Sequence, residues 1–123
     1  MDREILFRGK FGDEWKYGYL SVEPKGLVIK EPYELNQSNI WHIDQKTVGQ
    51  YTGLTDKNGK KIFNGDILEF TDNDGEKVPY EIGYDKSTSA LVIYQNGDRN
   101  TWDDCAYWNS ERFEVIGNIH DNP

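Results

Sequence analysis

Cys105 is the only cysteine in the chain, so it is the first candidate for a nucleophile. A cysteine becomes a good nucleophile when a nearby base raises its thiolate fraction. The neighbouring side chains are Asp103 and Asp104, whose negative charge would disfavour the thiolate. We therefore interpret Cys105 as a buried or half-buried structural residue. A chain with one cysteine forms no internal disulfide, which suits a reducing cytoplasm.

The other groups that could do chemistry are two histidines and many carboxylates. Neither His42 nor His120 has a paired histidine or cysteine nearby in the sequence, so we predict no zinc site. The run 72–76 looks like a calcium loop, but aligning Gly75 with the invariant glycine of such loops places Phe70 where the first ligand belongs. We interpret this run as a solvated hairpin turn. The sequence thus predicts no catalytic residues, no metal site and no cofactor.

The balance of charge excludes one class of partner. The 123 residues include 14 Lys and Arg against 22 Asp and Glu, which gives a formal charge of −8. Residues 1–50 carry 7 basic and 8 acidic side chains, whereas residues 51–123 carry 7 and 14. Binding to duplex DNA requires clustered Lys and Arg, and the C-terminal half has the opposite balance. No apolar run approaches the roughly 18–20 residues of a membrane span, so we expect a cytoplasmic protein with no membrane partner.

The elements that must position any site are predicted to be strands. Asn-Gly and Asp-Gly pairs recur along the chain and favour the positive φ angles of tight hairpin turns. Between them lie runs rich in β-branched and aromatic residues, such as 26–30, 66–71 and 90–94. This spacing predicts a mostly β protein, built as a sandwich or a small barrel. We expect a loop over residues 31–39 and one or two helical turns within 101–111.

The most distinctive block is 48–70, in which four glycines fall within 17 residues. We interpret it as an extended arm and two tight turns separated by a short strand over 61–63, leading into a long strand. The Asp66 side chain is expected to accept backbone N–H groups across the second turn. Gly59 and Gly65 each follow an Asn, and both positions are expected to need a positive φ.

This block resembles the YopX family, small phage and prophage proteins of Gram-positive bacteria. The resemblance rests on stretches that occur in family order along the whole chain: 3–10, 50–54, 56–63, 65–67 and 113–123. It implies a mostly β fold, with an SH3-like small β-barrel in the C-terminal half and an irregular or β N-terminal segment. It also implies a single domain over 1–123, with the N-terminal segment at about 1–55 and the barrel at about 56–123. No catalytic residues carry over from the family.

The matched positions supply the candidate site, which we interpret as an interaction or structural signature. They are Gln50, Tyr51, Thr52, Gly53, Asp56, Asn58, Gly59, Gly65 and Asp66.

Two functional classes remain open, and an enzyme is a distant third. The favoured one is a non-enzymatic phage or prophage accessory protein that binds a host or phage protein. The alternative is a nucleic-acid-associated accessory factor that uses the small barrel, a fold analogy against which the net charge weighs. Self-association is also open, because hairpin-rich folds leave edge strands unpaired.

The location of the cations and of the tryptophans should separate the two classes. If Arg8, Lys10, Lys57, Lys60 and Lys61 converge with Tyr51 or a Trp, nucleic acid becomes credible. We expect at least two of the four tryptophans to be mostly buried, whereas a Trp in an exposed apolar patch would mark an interface. These are Trp15, Trp41, Trp102 and Trp108.

We predict that the protein does not bind mixed-sequence duplex DNA tightly at physiological salt. The C-terminal half carries 7 basic and 14 acidic side chains, so its approach to a polyanion is repulsive at distances beyond a Debye length of about 8 Å. Fluorescence anisotropy with a labelled duplex measures this. Sub-micromolar binding with a steep dependence on salt would show that a local basic surface outweighs the net charge.

Overall fold

The computed structural model describes residues 5–32, 38–85, 90–95, 103–104 and 109–121. Over these residues the chain is built almost entirely from antiparallel strands and contains no α-helix. It divides into two compact units, Met1–Tyr51 and Thr52–Pro123.

The first unit is an antiparallel sheet of five strands. They are β1 (Phe7–Phe11), β2 (Glu14–Glu23), β3 (Gly26–Pro32), β4 (Ser38–His42) and the first part of β5 (Asp44–Thr55). Their order in the sheet is β4-β3-β2-β1-β5. Val28 and Ile29, adjacent in β3, are both fully buried. Because successive side chains of a strand point to opposite faces, both faces of the sheet are covered at this position.

The pairing of β1 with β5 contains an irregularity that side chains compensate. The register shifts between Arg8 and Lys10. The backbone N–H of Lys10 donates to Thr47 Oγ1 at 2.8 Å, and the Thr47 hydroxyl donates to the Asp44 carbonyl oxygen at 2.6 Å. A shifted register leaves backbone groups without ladder partners, and here the Thr47 hydroxyl supplies one. It thereby fixes the position of Lys10.

The second unit contains the end of β5, the short strand β6 that pairs with it, and a five-stranded antiparallel sheet. Its elements are β6 (Lys61–Phe63), β7 (Asp66–Thr71), β8 (Lys77–Asp85), β9 (Ala90–Gln95), β10 (Asp103–Asp104), a 3₁₀ turn (Ser110–Arg112) and β11 (Phe113–Asn118). The sheet order is β10-β9-β8-β7-β11, so β11 returns to pair with the first strand of the meander.

The core of the second unit is aliphatic, with an aromatic edge. Its buried members are Ile62, Leu68, Ile82, Ile93 and Phe113. Alternation along β7 places one side of that strand in the core, as the spacing of its apolar residues predicts. The Phe113 ring contacts two further aromatic rings, with centroids 5.1 Å from Phe70 and 5.4 Å from Tyr80. This cluster anchors the start of β11 over the sheet.

The prediction of a mostly β protein is confirmed, but the architecture of the C-terminal half differs from expectation. Among the described strands neither sheet closes, so the SH3-like barrel is not confirmed. The described part of the N-terminal segment is β-sheet, one of the two forms that the resemblance implied. The single-domain prediction, with its segment boundary near residue 55, stays a prediction, because compactness alone does not show whether the two units fold separately.

Two local expectations fall partly on described residues. Both ends of the predicted loop over 31–39 are strand, since β3 continues to Pro32 and β4 begins at Ser38, and residues 33–37 lie outside the described residues. Within 101–111 the described residues form the two-residue strand β10 and the start of a 3₁₀ helical turn. Residues 101–102 and 105–108 lie outside the described residues, so the expectation of one or two helical turns there stays a prediction. Cys105, Trp102 and Trp108 lie outside the described residues. In the part of the chain that is described, no helix is long and apolar enough to cross a membrane.

Candidate functional site

The Asp56 carboxylate organises the first turn of the signature. Its Oδ1 accepts the backbone N–H groups of Asn58 at 2.8 Å and Lys60 at 2.9 Å. The backbone closes the same turn, because the Asp56 N–H donates to the Lys60 carbonyl at 2.9 Å and the Gly59 N–H donates to the Asp56 carbonyl at 3.0 Å. An Asp side chain that accepts N–H groups of the following residues is the ordinary way to build such a turn. Here it fixes the connection between β5 and β6.

The second oxygen of the same carboxylate holds a distant strand. Asp56 Oδ2 accepts the backbone N–H of Val115 in β11 at 2.9 Å, 59 residues away. Beside it, the Lys57 N–H donates to the Phe113 carbonyl at 2.9 Å. The Asp56 residue is only 3 % exposed. One buried side chain therefore joins the β5–β6 turn to the last strand of the sheet.

The same contacts keep the Asp56 side chain ionised. Burial alone would raise its pKa, because desolvation disfavours a charged carboxylate. The backbone N–H groups of Val115, Lys60 and Asn58 and the positive charge of Lys60 act in the opposite direction. Together they hold the pKa of Asp56 below its ordinary value of 3.8. The carboxylate is thus charged wherever the fold is intact at neutral pH.

A second turn repeats this geometry without the long-range contact. Asp72 Oδ1 accepts the N–H groups of Asp74 and Glu76, both at 2.9 Å. The backbone bonds are the same, from Asp72 N–H to the Glu76 carbonyl at 2.9 Å and from Gly75 N–H to the Asp72 carbonyl at 3.0 Å. This confirms a hairpin turn at 72–76. Within the described residues, no group of three His, Cys, Asp or Glu side chains could hold a metal ion.

Gly65 and Asp66 form a second buried joint. Asp66 is 1 % exposed, and its Oδ2 accepts the Phe63 N–H at 2.8 Å, the bond expected across this turn. The Gly65 N–H donates to the Ile82 carbonyl and its own carbonyl accepts the Ile119 N–H, both at 2.9 Å. Gly65 has φ 96° and Gly59 has φ 82°, as predicted for both. These residues therefore hold the backbone of the second unit together.

The remaining signature residues make local backbone contacts. Tyr51 is buried and its N–H donates to the Leu6 carbonyl at 2.8 Å. The buried Thr52 hydroxyl donates to the Ile62 carbonyl at 2.9 Å and accepts the Leu54 N–H at 3.1 Å. Gln50 is half-buried and pairs with Phe7, while Gly53 and Asn58 are exposed. Most residues of the signature thus contact the protein's own backbone.

A different set of residues shares one face of the sheet in the first unit. Arg8, Lys10 and Trp15 of this set were candidates in the sequence, whereas its exposed tyrosines were not. In the register of the sheet, Arg8 lies opposite Tyr17 and Lys10 opposite Trp15. Tyr19, Lys30 and Ile40 stand in one row across β2, β3 and β4. Directly opposed residues, and alternate residues of one strand, point to the same face of a sheet. We call this set the aromatic–basic face: Arg8, Lys10, Trp15, Tyr17, Tyr19, Lys30 and Ile40.

The aromatic–basic face combines exposed rings with cations held against a ring. Tyr17 is 44 % exposed, Tyr19 59 % and Ile40 53 %. The Arg8 guanidinium carbon lies 4.5 Å from the Trp15 ring centroid, and Lys10 Nζ lies 5.4 Å from it. Both distances are within the range of a cation–π interaction. The sequence signal that could have located this face is the alternation of Trp15, Tyr17 and Tyr19.

The convergence of cations with a tryptophan is thus found in part. Arg8 and Lys10 both lie against Trp15. Lys57, Lys60 and Lys61 belong to the second unit, where all three are exposed near the Asp56 turn. Trp15 and Trp41 are half-buried, and Trp102 and Trp108 lie outside the described residues, so the expectation of at least two mostly buried tryptophans stays a prediction.

The two Asp turns provide a matched test of the long-range bond. In Asp56→Asn, the amide oxygen can still serve the turn, but the amide nitrogen then faces the Val115 N–H, donor against donor. We expect a loss of about 1–3 kcal/mol in the free energy of unfolding. Asp72→Asn keeps the oxygen that its turn uses, and should change stability by less than about 0.5 kcal/mol. Equal losses for the two variants in urea unfolding would contradict the role of the Val115 bond.

The pH dependence of the same pair follows from the lowered pKa of Asp56. A carboxyl group with a pKa lower in the folded than in the unfolded state stabilises the fold above its unfolded pKa, near 3.8. This contribution is lost as the pH falls through the folded pKa. The stability gap between the parent and Asp56→Asn should therefore shrink as the pH is lowered from 5 toward 2. A gap that is constant or widens would contradict the assignment.

Gly59 and Gly65 test the framework role of the signature. Their φ angles of 82° and 96° resist a β-branched side chain at a cost of order 1–3 kcal/mol. We expect Gly59→Val and Gly65→Val each to lower the melting temperature by several degrees. The exposed Lys57→Ala and Lys60→Ala variants serve as controls and should melt like the parent. If the glycine variants keep the parental melting temperature but lose a binding partner, the block is a recognition loop instead.

Comparison with known proteins agrees with the resemblance seen in the sequence. The chain is similar to the crystal structure of the protein yopX from Bacillus subtilis, with a TM-score of 0.62, 17% sequence identity, and coverage of 96% of this chain and 94% of that chain. At this identity the likeness shows the fold alone. A search of curated proteins finds no match. The family model described as YopX protein matches residues 12–123, nearly the whole chain, and the protein therefore belongs to the YopX family.

Proposed function

We propose that this protein is a non-catalytic binding module whose binding surface is the aromatic–basic face of the first unit. The observation that carries the proposal is the row of exposed side chains on that face, with Tyr17 44 %, Tyr19 59 % and Ile40 53 % exposed. Tyrosine combines a large apolar ring with a polar end, and it is enriched at binding surfaces for that reason. Its grouping with Lys10 and Lys30 gives the face both an apolar and a cationic character.

The hydrogen bonds of the buried acids support a binding protein rather than an enzyme. The oxygens of Asp56 accept three backbone N–H groups, and Asp66 accepts that of Phe63. Both residues are almost fully buried, at 3 % and 1 % exposed. Carboxylates engaged in this way stabilise the backbone and do not face a substrate. These contacts support a structural role for the two acids of the signature.

The partner we first propose is a host or phage protein, met in the cytoplasm of the bacterial host. The family resemblance, with its phage and prophage relatives, supports this setting, and the net charge of −8 supports a protein over duplex nucleic acid. A second candidate, a nucleic acid, is favoured by one specific observation. Arg8 and Lys10 lie 4.5 Å and 5.4 Å from the Trp15 ring centroid, on the face that exposes Tyr17 and Tyr19.

The binding surface can be tested by site-specific photo-cross-linking in the bacterium that carries the gene. A photoreactive phenylalanine analogue replaces Tyr19 in one variant and Tyr84 in a control. Tyr84 is a matched control because it is a tyrosine of similar exposure, 48 %, in the second unit. We expect a discrete cross-linked product from position 19 and none from position 84. Products from position 84 alone, or identical products from both, would contradict the assignment of the surface.

A further inference from the structure

We propose that the aromatic–basic face binds single-stranded nucleic acid, with unpaired bases stacking on its rings and phosphates contacting its lysines. This rests on the proposed function, since it takes the same face as the binding surface, and it argues for the nucleic-acid candidate in place of a protein partner. The exposed area is neither purely apolar nor purely cationic. Exposed rings lie beside half-buried lysines on one surface, and a polymer of aromatic bases and phosphates matches both.

The spacing of the rings favours an unpaired strand over a duplex. Trp15, Tyr17 and Tyr19 are alternate residues of β2, so they point to one face. Alternate residues of an antiparallel strand lie about 6.8 Å apart. Consecutive bases in a duplex strand are about 3.4 Å apart, and their faces are covered by their neighbours. Only an extended strand with unstacked bases can place successive bases on successive rings.

The cations stand where such a strand needs them. Lys10 lies opposite Trp15 at one end of the row of rings, and Lys30 lies opposite Tyr19 at the other. Arg8 is 4 % exposed, and its guanidinium carbon lies 4.5 Å from the centroid of the Trp15 ring. Its positive charge is therefore close to that ring. Phosphates at both ends of the row would therefore meet a positive side chain.

Among the described residues two acids lie on this face, and each accepts a hydrogen bond from a neighbouring group. Asp44 is in register with Lys10, and its Oδ1 accepts the Lys46 N–H at 3.0 Å. Glu23 stands at the end of β2, and its Oε2 accepts the Ser21 hydroxyl at 2.9 Å. The chain's negative charge is concentrated elsewhere, since residues 1–50 carry 7 basic and 8 acidic side chains against 7 and 14 in residues 51–123. The net charge of −8 therefore does not describe this surface.

Fluorescence anisotropy with labelled oligothymidine and oligouridine of about 16 nucleotides tests the inference directly, with a duplex of equal length as a control. We expect saturable binding of the single strands at low salt that weakens toward about 0.15 M salt, and much weaker binding of the duplex. Failure to bind either single strand at low salt overturns the proposal. Equal binding of single strand and duplex also overturns it, because stacking requires unpaired bases.

Variants then locate the binding. Tyr17→Ala and Tyr19→Ala should each weaken binding roughly tenfold, the scale of one stacked base, while Tyr19→Phe keeps the ring and the affinity. Tyr84→Ala, the matched control, should bind like the parent. Lys30→Ala should weaken binding and lower the dependence on log salt concentration by about 1 unit. Thermal melts verify that each variant is folded. Parental binding by Tyr17→Ala and Tyr19→Ala, or equal loss in Tyr84→Ala, overturns the assignment.

Two results separate this inference from the proposed function on which it rests. If position 19 cross-links to a protein while the oligonucleotides do not bind, the face is a binding surface and this inference is wrong. If polyglutamate competes with oligothymidine as strongly as unlabelled oligothymidine does, the face binds acidic chains by charge alone. That result also overturns the stacking mechanism. Strong competition by oligothymidine and weak competition by polyglutamate supports it.

Discussion

The carboxylate of Asp56 accepts three backbone N–H groups, two from its own turn and one from a strand 59 residues further along the chain. Hydrogen bonds to a charged group are among the stronger ones in proteins, and an N–H left without a partner in a buried place costs about 1–3 kcal/mol. The second unit depends on this contact, because it joins the β5–β6 turn to β11. The turn at Asp72 has the same local hydrogen bonds but no bond to a distant strand. The bond to Val115 is therefore what distinguishes the turn at Asp56.

The molecule separates the residues that hold it together from those that face solvent. Asp56, Gly65 and Asp66 are buried and satisfy backbone groups of the second unit. On the sheet of the first unit, by contrast, the exposed rings of Tyr17 and Tyr19 lie near half-buried lysines. Most residues that carry the resemblance to the family make contacts within the fold, and such residues identify a fold rather than a function. The residues that fix the backbone do not determine the function, which depends on the side chains at the surface.

The features that could be predicted from the sequence are local ones. The Asn-Gly pairs in the sequence predicted the turns, and the positive φ angles predicted for Gly59 and Gly65 are confirmed. The run 66–71, rich in apolar strand-forming residues, forms the predicted strand β7. The bond from Asp56 to Val115 could not be predicted, because nothing in the sequence sets the pairing of residues 59 apart. The aromatic–basic face was missed for a similar reason. The alternation of rings in β2 is visible in the sequence, but the register that brings Lys10 and Lys30 beside them is not.

The central claim, that Asp56 is a buried and ionised link between the turn and β11, can be tested by one NMR titration. The side-chain carboxyl carbon of Asp56 and the amide of Val115 are followed together as the pH is lowered in the folded range. We predict that the carboxyl carbon of Asp56 titrates with a pKa below 3.8, and that the chemical shift of the Val115 amide changes with the same midpoint. A pKa at or above 3.8, or a Val115 amide that does not respond, would contradict it.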